Sequence, residues 1–258
     1  MNTPPAPPSG PSGPLNALRG AVYVLLLYAL MLIMGIFCFI PSMLSQRWAI
    51  ASMRAYCVAA LWLLRVIVGT RIEYRGPIPQ GPCIIAAKHQ SFLDILCLVR
   101  ILPRPAFVMK KSLRWAPVIG IYAQRLGSIP IDRKAGKEAT RTMLRGAKAQ
   151  AAGRQIIIFP QGTRVAPNTA TPYRGGVVRL YETLAQPLVL VALNTGWFWP
   201  RTGLRRTPGT VIIEFLETIP AGADPTGLLE RIETKIEAAS DDLADQAARE
   251  LRANGLLD

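Results

Sequence analysis

Two long apolar runs open the chain. Residues 21–40 carry no charge, and twenty residues at 1.5 Å rise make a helix long enough for a bilayer core of about 30 Å. Pro41-Ser42 is expected to break that helix. A cleaved signal peptide would also be apolar, but this run exceeds the usual length and no small-residue cleavage pattern follows. The second run, 48–69, is interrupted by Arg54 and Arg65. At 100° per residue, Arg47, Arg54 and Arg65 fall within about 20° of one another on a helix. One basic stripe on an apolar helix fits a helix lying in the membrane interface, its arginines at the lipid heads. A soluble core helix with snorkelling arginines fits the same pattern. Only Arg19 precedes the first run, whereas Arg47, Arg54, Arg65 and Arg71 follow it. The positive-inside rule then puts the rest of the chain in the cytoplasm, whether 21–69 spans the bilayer or dips into one leaflet.

From residue 70 the pattern changes to short apolar runs alternating with amphipathic stretches. Strands are expected at 83–87, 106–109, 128–131, 155–159, 188–193 and 211–215, several of them rich in Ile and Val. Pro130 should confine its strand to a sheet edge or a strand end. Helices are expected at 92–102, 135–152 and 173–185. This is the alternation of an α/β domain: a mixed, largely parallel sheet flanked by helices. Asp224-Pro225 reads as the cap and first position of a C-terminal amphipathic helix, with a possible break near Ser240. The expected organisation is a disordered Pro/Gly/Ser tail over 1–16, membrane-associated helices over 17–69, an α/β domain over 70–223 and the C-terminal helix over 224–258.

Composition narrows the partners. Of 258 residues, 30 are Lys or Arg and 16 are Asp or Glu, a formal net charge of +14. Residues 224–258 hold nine acids and four bases, net −5, so 1–223 is net +19. So basic a body suits anionic partners: phosphates, anionic lipids or an acidic carrier protein. No recognisable nucleic-acid motif accompanies the charge, so nucleic acid is not an expected partner. His89 is the only histidine, which excludes a multi-histidine metal site, and the four cysteines form no C-x-x-C pair. No metal and no disulfide framework are expected. Lys137, Arg141, Arg145 and Lys148 recur along 135–152, either as a solvated face or as a docking surface for anionic lipid or an acidic carrier.

Four of the expected strands release polar residues directly after their last apolar one. The first gives Lys88-His89-Gln90-Ser91 and then Asp94; the second gives Lys110-Lys111; the third gives Asp132-Arg133-Lys134; the fourth gives Pro160-Gln161-Gly162-Thr163-Arg164. In open α/β sheets ligands bind beyond the carboxyl ends of strands, so these groups should converge on one rim. His89 and Asp94 would diverge by about 140° on one continuous helix. With His89 in a turn and Asp94 in the first helical turn they can meet, the carboxylate fixing the imidazole tautomer and leaving the other nitrogen as a base. Ser91-x-x-Asp94 also reads as a plain helix-start pattern. The 159–164 turn can offer N–H groups and a guanidinium to a phosphate.

In this order, His89-x4-Asp94, Gly127…Ile131-Asp132-Arg133, Phe159-Pro160-Gln161-Gly162-Thr163-Arg164 and an apolar strand after Pro187 resemble the glycerolipid acyltransferase family, most closely the bacterial 1-acylglycerol-3-phosphate acyltransferases. The likeness covers about residues 70–220. It implies that His89 is the general base and Asp94 its partner, and that Arg133 and the Gly162-Thr163-Arg164 turn hold the acceptor's phosphate; Lys110 and Gln161, which follow the ends of their strands, are expected to bind substrate as well. It further implies lysophosphatidic acid as acceptor, acyl-CoA or acyl-carrier protein as cosubstrate with no other cofactor, and a place on the cytoplasmic face of the inner membrane. Other acceptors, such as a lyso-ornithine lipid, fit the same motifs, and a noncatalytic phosphate-binding membrane protein is the remaining alternative. Gln161 stands where the family usually has glutamate; its amide keeps the hydrogen bonding but carries no charge.

Overall fold

The computed structural model describes residues 14–257. The tail expected over 1–16 therefore lies mostly outside the described residues, and its last three positions belong to the first helix. Helix α1 runs Pro14–Phe37, α2 Phe39–Leu44 and α3 Gln46–Leu63, the last continuing into a π-helical turn, Leu64–Val68, that Gly69 ends in a left-handed conformation (φ 91°). The interruption of the first run lies at Cys38 rather than at Pro41. Pro41 is the third residue of α2, where its missing N–H is not needed; its ring instead excludes the carbonyl of Phe37, four residues back, and α1 stops there. Ser45 separates α2 from α3, and its hydroxyl accepts from Arg47 N at 3.2 Å.

Helices Pro14–Phe37 and Gln46–Val68 are each long and apolar enough to cross a membrane. They form a hairpin, for Asn16 and Arg19 near the start of α1 border the same cleft as Gly69 and Arg71. One side of α3 is buried, through Ala49, Tyr56, Cys57, Ala60 and Leu61, while Trp48, Val58, Trp62 and Val66 are exposed. The expected arginine stripe divides. Arg47 and Arg65 are exposed, but Arg54 turns inward and donates to the carbonyls of Leu102 and Pro103 at 2.7 and 2.8 Å.

The sheet has seven strands among the described residues: β1 Thr70–Arg75, β2 Cys83–Ala87, β3 Pro105–Lys110, β4 Ile129–Ile131, β5 Gln155–Ile158, β6 Leu188–Leu193 and β7 Gly209–Ile219. Their order is β1-β7-β6-β2-β5-β3-β4, and only the β6–β7 pairing is antiparallel. The mixed, largely parallel sheet is as expected, with Pro130 on the edge strand β4. Strand β1 is an addition. Its sequence, Thr-Arg-Ile-Glu-Tyr-Arg, places a charge at every second position, which suits an edge strand with one face toward solvent.

Helices α4 Leu93–Ile101, α5 Ile119–Arg125, α6 Gly136–Gln150, α7 Gly176–Leu184, α8 Thr195–Phe198 and α9 Leu228–Ala253 complete the chain. The C-terminal helix starts later than Asp224, whose carboxylate closes a turn by accepting from Thr226 N and Oγ1. It is unbroken at Ser240, which is buried on its inner side. Two apolar cores sandwich the sheet. Side chains of α1, α3, α4 and the later part of α9 cover one face, meeting Ile85 and Ile157. Those of α6, α7 and the first turns of α9 cover the other, meeting Ile84, Ile156 and Ile158.

Helix α1 also touches the loop between α8 and β7. A β-carbon at Gly20 would overlap the carbonyl oxygen of Leu204. Gly20→Val improves intrinsic helix propensity yet should destabilise the detergent-solubilised protein by about 1–3 kcal/mol through this overlap. A lowered thermal unfolding midpoint is the expected reading; an unchanged or raised midpoint would contradict the contact.

Candidate active site

The carboxyl ends of β2, β3, β4, β5 and β6 lie along one rim, because these five strands run the same way. The turn after β2 carries His89, and α4 starts four residues later. Asp94, the second residue of α4, is fully buried and has four donors. Its Oδ2 faces His89 Nδ1 at 2.7 Å and accepts from the backbone N–H groups of Gln90 at 2.8 Å and Ser91 at 3.0 Å; its Oδ1 accepts from the Thr195 hydroxyl. Ser91 Oγ in turn accepts from Leu93 N at 3.1 Å. Both sequence readings of this segment thus hold together: Asp94 organises the helix start and orients the imidazole.

The His89 side chain is 12% exposed. Its ring stacks on Phe159, centroids 3.9 Å apart and planes 13° off parallel. The turn after β5 is laced to the turn after β2. Gln161 Oε1 accepts from His89 N at 3.2 Å, and Val165 N donates to His89 O at 2.8 Å. Gln161 is buried, and its Nε2 has no hydrogen-bond partner among the described residues. Gly162 adopts φ 71°, a left-handed turn position that a residue with a β-carbon resists.

His89 and Arg164 border a common cavity of about 260 Å³. Its remaining walls are almost wholly apolar and come from α1, α3, α4, β3 and α5, among them Met31, Met34, Met53, Phe92, Leu96, Phe107 and Ile119. With Nδ1 held by Asp94, Nε2 is the imidazole nitrogen left to serve this space. The other expected residues are placed differently. Gly162 and the exposed Thr163 shape the turn beside Arg164. Arg133 is half-buried and donates through Nη1 to the Gly162 carbonyl, bordering a second pocket on the opposite face of the sheet. Lys110 is exposed at the end of β3 and borders neither space.

Thr195 at the rim escaped the sequence reading, as did the partners of Gln90 and Lys88. Thr195 holds Asp94 from the end of β6, and Gln90 Oε1 accepts from Gly196 N at 2.9 Å. The positional rule that singled out the other four strands, applied to β6, would have found Asn194-Thr195. Lys88, 2% exposed, pairs with Glu237 of α9, whose other oxygen accepts from the Tyr173 hydroxyl at 2.7 Å. Burial and Glu237 together push the Tyr173 hydroxyl pKa up, so it remains a donor. Both cysteines of the α/β domain are buried, which pushes the Cys83 thiol up to about 12 and the Cys97 thiol well above its usual range and disfavours the thiolate. No group of three or more His, Cys, Asp or Glu able to hold a metal occurs among the described residues.

Residues 71–194 match the family described as Acyltransferase. The 1-acyl-sn-glycerol-3-phosphate acyltransferase of Pseudomonas aeruginosa is 31% identical over 204 residues, 76% of this chain and 78% of that protein. The human 1-acyl-sn-glycerol-3-phosphate acyltransferase alpha is 28% identical over 163 residues, 61% of this chain and 58% of its own length. Among solved structures, the fold is shared with the 1-acyl-sn-glycerophosphate (LPA) acyltransferase PlsC from Thermotoga maritima. The TM-score is 0.72 at 19% identity, over 88% of this chain and 97% of that one.

Because the chain holds a single histidine, its ring can be followed without assignment. Nitrogen NMR should show the Nδ1-protonated tautomer at neutral pH. Asp94→Asn should shift that population while the fold, followed by circular dichroism, persists. A spectrum unaltered by Asp94→Asn would detach the carboxylate from the imidazole.

Proposed function

The chain belongs to the acyltransferase family, and we propose that it transfers a fatty acyl group from an acyl thioester to the free sn-2 hydroxyl of 1-acylglycerol 3-phosphate, giving phosphatidic acid. The observation that carries this is the His89–Asp94 pair, its imidazole bordering an apolar cavity that one guanidinium, Arg164, also borders. An acyl chain needs such a lining, a phosphate needs the cation, and a hydroxyl nucleophile needs the base.

His89 Nε2 takes the hydroxyl proton as the oxygen attacks the thioester carbonyl. Asp94 keeps Nδ1 protonated and steadies the imidazolium that forms. The tetrahedral intermediate collapses with cleavage of the C–S bond, and the thiolate leaves with the proton that His89 returns. The Phe159 face stacked beneath the ring holds the plane of the imidazole. Direct transfer requires no covalent enzyme intermediate, and holding both substrates in attack geometry itself lowers the barrier. Arg164 and the Gly162-Thr163 turn are the groups we assign to the acceptor's phosphate, with Arg133 fastening that turn from behind and Gln161 fixing the backbone of His89.

The exposed apolar side chains of α1, α2 and α3, including Leu25, Leu32, Phe37, Ile40 and Trp62, support contact of this hairpin with lipid, and we assign it to the cytoplasmic leaflet of the inner membrane on the excess of arginines that follows the first apolar run. Since α3 packs one side on the domain, the hairpin and the cavity mouth would meet the lipid together.

Purified protein supplied with lysophosphatidate and an acyl thioester should form phosphatidic acid. His89→Ala should lower the rate by about 10²–10⁴-fold. Undiminished transfer by that variant, or wild-type protein active only on another lyso-lipid, would refute this reading. Gln161→Glu should retain transfer, because a carboxylate oxygen can accept the same His89 N–H; complete inactivity would show that the amide itself is required.

A further inference from the structure

Across the β5 turn from His89, a pocket of about 200 Å³ opens on the α6–α7 face of the sheet. Arg133, Arg174, Gly136, Thr140, Phe159 and Gly162 line it. Two guanidiniums share this space: burial, and Arg174 beside it, push the Arg133 pKa down. No carboxylate lines the pocket. The acids nearby in sequence are engaged otherwise, Asp132 with Lys134 N and Glu138 with Thr142 and Arg141, and Glu233 of α9 accepts from Tyr173 N. Like charges held together without an acid are an arrangement that an anion relieves.

We propose that the Arg133–Arg174 pocket receives the phosphate of the acyl donor's phosphopantetheine arm. The proposal rests on the thioester-dependent reading above. The acceptor's own phosphate is poorly suited to this position. It sits on the glycerol carbon next to the one bearing the reacting hydroxyl. With that hydroxyl at His89 Nε2, the phosphate stays in the cavity shared with Arg164. Phe159, stacked on His89, and the Gly162 turn stand between that cavity and the arginine pair. A substrate that reaches both places needs a long flexible arm between its reacting carbon and its anion, and a pantetheine thioester has one. Helix α6 begins beside the pocket, and exposed Lys137, Arg141, Arg145 and Lys148 continue the positive potential along it. That face suits either the nucleotide of coenzyme A or the acidic surface of a carrier.

Two unreactive probes test this on the purified chain in detergent: an acyl thioether of phosphopantetheine and the same thioether of pantetheine. Wild-type protein should bind the phosphorylated probe about tenfold more tightly or better. Arg174→Gln should erase that preference and leave the pantetheine probe's affinity unchanged. Equal wild-type affinities, or a preference that survives in Arg174→Gln, would overturn the proposal. In turnover, Arg174→Gln should raise the KM for the acyl donor; a rise confined to lysophosphatidate would give the pocket to the acceptor and overturn it as well. Acyl-CoA and acyl-carrier protein, compared as donors with Arg141→Glu, separate the two sources of the arm, the true donor being the one whose KM rises more. Wild-type protein that shows the phosphate preference but acylates no lysophosphatidate would uphold this site and remove the acceptor assigned above.

Discussion

A buried carboxylate satisfied by neutral donors is the constraint on which the strand-end rim depends. Asp94 has no solvent exposure, and its two oxygens are satisfied by two backbone N–H groups, a threonine hydroxyl and the imidazole. Each unmet bond to such a group would cost about 1–3 kcal/mol or more. The need to supply all four donors fixes three things together. The turn must bring Gln90 and Ser91 N–H groups onto the carboxylate, strand β6 must end where Thr195 reaches it, and the His89 ring must present Nδ1. The geometry that makes the imidazole useful is the same geometry that makes the acid tolerable in the interior.

The topology brings the remaining groups to that place. Five strands run in one direction and end at the rim, while β7 and β1 run the other way and begin there. The start of α1 shares a cleft with the starts of β1 and β7, so the apolar hairpin and the chemistry occupy one edge of the sheet. The cavity between them is walled in part by Met31, Met34 and Met53, flexible side chains suited to a chain-like ligand rather than a rigid one.

Much of this was legible from the chain, and what was not has a common cause. Interactions set by local spacing were readable: His89 and Asp94 are five apart, Ser91 starts the helix, and the Ile- and Val-rich runs became the inner strands. Bonds that join distant segments were hidden. Thr195 meets Asp94 across 101 residues, Glu237 meets Lys88 across 149, and Arg54 finds the end of α4 rather than a lipid head. Strand β1 was obscured because its alternating charges resemble a polar connector until β7 is placed beside it. Pro41 was seen as a breaker, correctly, but its effect falls four residues upstream, on the carbonyl it displaces.

The Lys88–Glu237 pair has a temporal consequence. Lys88 adjoins His89, yet the acid that neutralises it lies on α9, 149 residues further along the chain. A chain made in order presents Lys88 before Glu237 exists, so the lysine waits, uncompensated, for its counter-charge. Completion of the His89 turn is thereby ordered after the making of α9, and a nascent chain arrested before that helix holds its imidazole beside an unquenched positive charge.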